Sequence, residues 1–105
     1  MPNGSLTIEV VDGNRVDEIV LRLSGPLVLN NLFDFQNSWR SQTAPNIVVD
    51  LTGVPYVDSS GVGSLVNMHV SRQKVGGSVH LLGVSERVKT LLAVTKVDTI
   101  LAVEA

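Results

Sequence analysis

Four consecutive residues, Asp58-Ser59-Ser60-Gly61, place a carboxylate and two hydroxyls between an apolar run and a helical pattern. A helix start leaves backbone N–H groups without partners and carries the positive end of the helix dipole, so it favours an anion. Helix capping by Asp or Ser explains these residue types adequately. It is not a full account, because one cap would suffice and no glutamate follows three positions on to complete a capping box.

Catalytic interpretations of this stretch lack their partner residues. The two histidines, His69 and His80, lie on different predicted elements without a metal-ligand spacing, and packing or surface roles are favoured for both. Ser59 is near a strand–helix junction, but the leading glycine of the hydrolase motif G-x-S-x-G is missing. We therefore expect that the chain is not an enzyme.

Nucleotide binding is also weakly supported. Gly61-Val62-Gly63 begins like a dinucleotide-binding fingerprint, but the third glycine position holds Val66. A P-loop would need a following Gly-Lys pair, and no lysine lies nearby. Tight packing or a close turn at the helix start explains the two glycines better.

The first half of the chain predicts a hairpin followed by a helix. β-branched runs at 6–11 and 16–23 flank Asp12-Gly13-Asn14, which is a turn signal. A helix follows, with Asn30 or Asn31 as its cap, and it should end before Ala44-Pro45. Its apolar stripe consists of Val28, Leu32, Phe35 and Trp39.

The second half alternates strands and helices. The nearly continuous apolar run 47–51 predicts a strand covered on both faces, as in a parallel sheet. The next helix should end at Gly76-Gly77, and a strand at 78–82 should precede a third helix capped by Ser85. The inner faces of these helices are predicted to be Val62, Leu65, Val66, His69 and Val70, and then Val88, Leu91 and Leu92.

A short strand at 99–103 completes the order β-β-α-β-α-β-α-β. This order predicts a single α/β domain over residues 1–105, with about three helices on a mostly parallel sheet of four to five strands and an antiparallel edge hairpin. A net charge of −2 with mixed signs gives no basic surface for nucleic acid, and no apolar run is long enough to insert into a membrane. The chain has no cysteine, and residues 1–5 lack a secretory signal, so a cytoplasmic protein without a cofactor is expected.

Residues 47–65 read IVVDLTGVPYVDSSGVGSL. This run resembles the signature of STAS domains, and most closely that of the bacterial anti-sigma factor antagonists, D-L-S-x-V-x-x-[IV]-D-S-S-G-[LV]-G-x-L. Thr52 replaces the usual serine, and Pro55-Tyr56 fills the variable pair. The later Gly76-Gly77-x-Val79-x-Leu81 and the helix after it also match, so the resemblance covers almost the whole chain.

The resemblance implies a regulator that switches partners. Unphosphorylated, it would bind an anti-sigma factor that is also a serine/threonine kinase, and so free the sigma factor. That kinase would phosphorylate Ser59, with Ser60 as the alternative acceptor, and a serine phosphatase would reverse the modification. The implied partner-binding residues are Gly25, Asp58, Ser59, Ser60, Gly61 and Val62.

One departure from the family pattern lies after the second strand, where many relatives have G-E-[LV]-D and this chain has Gly25-Pro26-Leu27-Val28. In the family this loop lies near the partner surface, so the departure bears on which partner is bound. Two alternatives stay open. One is a STAS subunit of a larger sensing or lipid-transport assembly that works without phosphorylation. The other is a small α/β enzyme or nucleotide-binding protein.

Overall fold

A five-stranded mixed sheet carries three α-helices, and the computed structural model describes residues 5–104 of the chain. The elements in chain order are β1 (Thr7–Asp12), β2 (Glu18–Ser24), α1 (Leu32–Arg40), β3 (Asn46–Gly53), α2 (Ser59–Gln73), β4 (Ser78–Leu82), α3 (Glu86–Val94) and β5 (Ala102–Val103). The strands lie side by side in the same order, with β1 antiparallel to β2 and all other neighbours parallel. The predicted α/β fold, element order and edge hairpin are confirmed.

All three helices pack on one face of the sheet. In one row across β2, β3 and β4 the side chains are fully buried: Leu21, Val49 and Leu81. The adjacent row points to the other face and is only half-buried: Val20, Val48 and His80. The prediction that β3 is covered on both faces is therefore wrong. Val48 extends the apolar run of β3, but no helix lies over it, because the inward side chains of all three helices belong to the same core as Val49.

Helix α1 begins later than its apolar stripe suggested. Val28 precedes a 3-10 turn at Leu29–Asn31, and the α-helix starts at Leu32. Asn31 holds the N-cap position, but its side chain makes no capping hydrogen bond to α1. Its carboxamide instead accepts from the Val28 N–H at 3.1 Å and donates to the Pro26 carbonyl at 2.7 Å. Asn31 thus shapes the turn before the helix.

In the C-terminal half of α2, the buried face differs from the predicted stripe. Val70 is 43% exposed, whereas Met68 and Arg72 are buried. The Arg72 guanidinium donates to the Trp39 carbonyl at 2.8 Å and to the Gln42 carbonyl at 3.1 Å. These hydrogen bonds satisfy carbonyl groups at and just after the C-terminal end of α1. Burial lowers the pKa of Arg72, but an arginine remains charged at any physiological pH.

Several predicted boundaries are confirmed and two shift. Ser85 caps α3 by accepting from the Val88 N–H at 3.2 Å, and α2 ends shortly before Gly76, whose φ is +76°. Strand β5 is only two residues long, because a 3-10 turn occupies Val97–Thr99, and Val16 lies outside β2. Residues 1–4, on which the expectation about a secretory signal mainly rests, are outside the described residues. Within 5–104, no helix is both long and apolar enough to cross a bilayer.

Candidate functional site

The Asp58-Ser59-Ser60-Gly61 stretch lies at the carboxyl edge of the parallel strands. The loop after β3 runs beside the loop after β2, and Leu27 pairs with Val57 in a short parallel bridge. The Leu27 N–H donates to the Tyr56 carbonyl at 3.0 Å, and the Asp58 N–H donates to the Leu27 carbonyl at 3.2 Å. Because Leu27 and Val57 are both buried, this bridge fixes the approach of the chain to α2.

Asp58 is the N-cap of α2, as the capping interpretation predicted. Its Oδ1 accepts from the Gly61 N–H at 2.9 Å, within the first turn. Its Oδ2 accepts from the N–H of Leu29 at 3.1 Å, and Leu29 belongs to the 3-10 turn before α1. Both oxygens of the carboxylate are therefore engaged, and the side chain ties two loops together.

The two serines differ in accessibility. Ser59 is the first residue of α2 and is exposed, whereas Ser60 is half-buried. An enzyme that must enclose the acceptor hydroxyl reaches Ser59 more easily. The geometry therefore favours Ser59 over Ser60 as the accessible hydroxyl.

Gly61 and Val62 are buried beneath the exposed Ser59 in the first turn of α2. A Cβ on Gly61 would lie 2.5 Å from the Leu27 carbonyl oxygen and 2.7 Å from Val57 Cγ1, so only glycine fits there. A Cβ on Gly63 would meet no atom within 4 Å. The packing explanation for these glycines thus holds for Gly61 and not for Gly63, and a role of Gly61 or Val62 in partner binding stays a prediction.

Gly25 also has a clear backbone role. Its φ is +108°, and its N–H donates to the Gly53 carbonyl at 2.9 Å. A side chain there would be strained and would meet the Ser5 carbonyl. Gly25 turns the chain at the same sheet edge as Ser59, and its part in partner binding stays a prediction.

A groove of about 500 Å³ opens beside Ser59, between the starts of α2 and α3. We call it the Ser59 groove; its lining residues are Tyr56, Val57, Asp58, Ser59, Arg87, Val88, Thr90, Leu91 and Val94. The Arg87 guanidinium carbon lies 5.0 Å from the centroid of the Tyr56 ring, at cation–π distance. Sequence reasoning missed both residues. The only available signal was that α2 and α3 follow adjacent parallel strands, which places their first turns side by side.

Apolar side chains are exposed on both sides of Ser59. On the α1 side, Leu29 is 65% and Phe33 79% exposed; on the α3 side, Val94 is 74% exposed. Large apolar groups held in water on an otherwise well-packed domain are typical of a surface that contacts a macromolecule. The edge that carries Ser59 therefore exposes apolar side chains on both sides of the hydroxyl.

The histidines and charged residues give no second centre of chemistry within residues 5–104. No group of three His, Asp or Glu side chains is arranged to hold a metal ion there. His80 lies on the open face of the sheet, where its Nδ1 is 3.3 Å from a Glu104 carboxylate oxygen. Neither His80 nor His69 lines the Ser59 groove.

Comparison with known proteins agrees with this geometry. The family model for the STAS domain matches residues 6–105. An anti-sigma factor antagonist from Mycobacterium paratuberculosis has the same fold, with a TM-score of 0.84 and 19% identity over 98% of this chain and 87% of that one. The Bacillus cell fate determinant SpoIIAA, solved in its phosphorylated form, matches with a TM-score of 0.71 and 18% identity over 94% and 92%.

The fold also occurs inside a much longer protein. The murine anion transporter Slc26a9 contains a region that matches 92% of this chain but only 19% of the transporter, with a TM-score of 0.71 and 19% identity. The resemblance in residues 47–65, the sheet order and the family match over residues 6–105 agree. This chain belongs to the STAS domain family.

Proposed function

We propose that this chain is an anti-sigma factor antagonist controlled by phosphorylation of Ser59. In the unmodified state it binds an anti-sigma factor serine/threonine kinase through the surface around Ser59. The kinase transfers the γ-phosphoryl group of ATP to Ser59 Oγ, which loses its proton, and ADP leaves. The modified domain then dissociates, and a serine phosphatase returns it to the binding state in the cytoplasm.

The exposure of Ser59 at the first position of α2 is the observation that carries this proposal. It belongs to the D-S-S-G motif and stands at the centre of an apolar, exposed edge. Structures of SpoIIAA, which has the same fold, have been solved in an unphosphorylated and in a phosphorylated form. The exposed hydroxyl, the family and these two forms together support modification of this serine.

The local physics favours a change in binding rather than in conformation. A phosphate adds about −1.5 to −2 charge, which a helix start tolerates or favours by about 0.3–1 kcal/mol. Asp58 opposes this term by like-charge repulsion, but its two hydrogen bonds hold it in place. A partner that covers Ser59 must in contrast desolvate or face the new dianion, which costs an interface several kcal/mol.

The decisive experiment incubates the protein with ATP and each candidate anti-sigma kinase from the same genome, followed by intact-mass analysis. We expect the wild type to gain the mass of one phosphate, Ser59→Ala to gain none, and Ser60→Ala to behave as wild type. Ser59→Asp should bind the kinase about tenfold more weakly or worse, a loss of about 1.4 kcal/mol or more. Full affinity of Ser59→Asp would contradict the proposal.

A second candidate is a STAS subunit that works within a larger assembly without being phosphorylated. The occurrence of the fold in the Slc26a9 transporter favours keeping this candidate. It predicts that no kinase modifies Ser59, while Leu29→Asp or Phe33→Asp still abolishes partner binding. We also propose that the chain is not an enzyme, and turnover of nucleotide or ester by the isolated protein would contradict this.

A further inference from the structure

Arg87 is an unpaired cation in the wall of the Ser59 groove. Among the residues that the structure describes, it is the only basic one that lines the groove. Within residues 5–104, the carboxylate ion pairs are made by Arg15, Arg22, His80 and Lys89, and none is made by Arg87. The Arg87 guanidinium contacts the Tyr56 ring, and an exposed contact of this kind contributes only about 0.5–1 kcal/mol. The guanidinium can therefore leave the ring at little cost.

The carboxylate in the same groove forms no ion pair with Arg87 within residues 5–104. Asp58 lines the groove, but its oxygens accept from the N–H groups of Gly61 and Leu29. The other oxygen-bearing group contributed by α2 is the Ser59 hydroxyl, which is neutral. The groove thus holds a guanidinium with five donors, while its carboxylate is held by the backbone of two other segments.

Two helix starts meet at this point. Helices α2 and α3 follow the parallel strands β3 and β4, so both first turns lie at the same edge of the sheet. Ser59 is the first residue of α2, and Arg87 is the second residue of α3. A dianion on Ser59 would therefore be near the positive ends of two helix dipoles and in the same groove as one exposed cation.

We propose that Arg87 receives the phosphate of phosphorylated Ser59 within the same molecule. This rests on the proposed function in that Ser59 is the modified residue. The planar guanidinium donates two parallel N–H bonds to phosphate oxygens, a geometry that lysine cannot reproduce. The phosphate is then held against the wall of the Ser59 groove that carries Arg87.

The test uses protein in which phosphoserine is installed at position 59 during translation, so that no kinase or partner is required. A ³¹P NMR titration gives the second pKa of the phosphate, which is about 6 for an isolated phosphoserine. A nearby cation favours the dianion, so we expect this pKa to be lower in the wild-type background than in Arg87→Gln, by about half a unit. Arg87→Lys should fall between them.

Lys89→Gln is the matched control, because it removes the same charge from the same helix outside the Ser59 groove. It should leave the phosphate pKa at the wild-type value. As a second readout, the Arg87 Nε–H resonance should move as the phosphate titrates. Amide spectra of the unphosphorylated variants identify any that fail to fold, and for these the Arg87 Nε–H resonance in the wild type decides alone.

Three outcomes would overturn the inference. Two are an equal phosphate pKa in the wild-type and Arg87→Gln backgrounds, and an Arg87 Nε–H resonance that does not move as the phosphate titrates. If Lys89→Gln raised the phosphate pKa as much as Arg87→Gln does, the shift would be an effect of overall charge, and this would also overturn the inference. The result is separable from the proposed function. A chain that no kinase modifies refutes the switch while this contact is still measurable, whereas absence of the contact leaves kinase-dependent release intact.

Discussion

The starts of α2 and α3 exchange the roles of a hydroxyl and a carboxylate. At α2 the carboxylate of Asp58 is the cap, and the Ser59 hydroxyl is exposed at the first helical position. At α3 the Ser85 hydroxyl is the cap, and the first helical position holds Glu86, whose side chain is 92% exposed. The two starts lie side by side at the same edge of the sheet.

This difference shows that the fold already accommodates a negative charge at the first position of a helix. Helix α3 carries a permanent negative charge at its first position, with Lys89 3.4 Å away. Helix α2 has no acidic residue in its first turn, and phosphorylation of Ser59 would give it the charge that α3 carries by sequence. The arrangement at α3 is therefore the best evidence within the molecule that a modified α2 would keep its structure.

The largest expected effect concerns the third helical position, which is Gly61 in α2 and the buried Val88 in α3. Gly61→Ala should destabilise the fold by about 3 kcal/mol, because the new methyl group overlaps a backbone carbonyl that cannot swing away. Urea denaturation followed by far-UV circular dichroism measures this. Gly63→Ala is the control and should be neutral or stabilising, by up to about 1 kcal/mol. Equal effects of the two variants would refute the packing argument.

Removal of the caps should come next in size. Asp58→Ala should cost about 2 kcal/mol and Ser85→Ala about 1 kcal/mol, because only Asp58 also bonds a distant segment. Asp58→Asn keeps one acceptor and should be intermediate. The Leu29 amide resonance should shift in Asp58→Ala and stay in place in Ser85→Ala. If it stays in place in both, the tie between the two loops does not exist in solution.

The smallest expected effect tests the exchange of roles directly. Ser59→Asp should change the free energy of unfolding by less than about 0.5 kcal/mol, because helix dipole and Asp58 act in opposite directions. Glu86→Gln should lower it by a few tenths, about 0.3 kcal/mol, and salt should weaken this effect. Thermal unfolding at low and high salt provides the comparison. A loss above about 1 kcal/mol in Ser59→Asp would show that α2 does not tolerate the charge that α3 carries.

Local sequence signals were sufficient for the elements and for the helix start at Asp58. The hairpin turn, the Ser85 cap and the end of α2 before Gly76 each depend on residues within one turn of each other, so they are readable from the chain. The bond from Leu29 to Asp58 spans 29 residues, and the groove between Tyr56 and Arg87 spans two loops. Neither follows from periodicity, because both depend on which helices become neighbours.

The errors have the same origin. Val48 and Val70 are apolar residues that the tertiary arrangement leaves partly exposed, and Arg72 is a charged residue that it buries against the carbonyls of α1. A hydrophobic pattern reports which side chains are suited to a core. It does not report which face of a sheet will receive the helices.

The placement of the two larger aromatic side chains has a practical consequence. Trp39, the single tryptophan, is 3% exposed and packs in the core beside Arg72, whereas Tyr56, the single tyrosine, is 40% exposed in the wall of the Ser59 groove. Tryptophan emission therefore follows the integrity of the fold, and the tyrosine ring resonances follow events at the groove. The unlabelled protein carries separate spectroscopic reporters for unfolding and for docking.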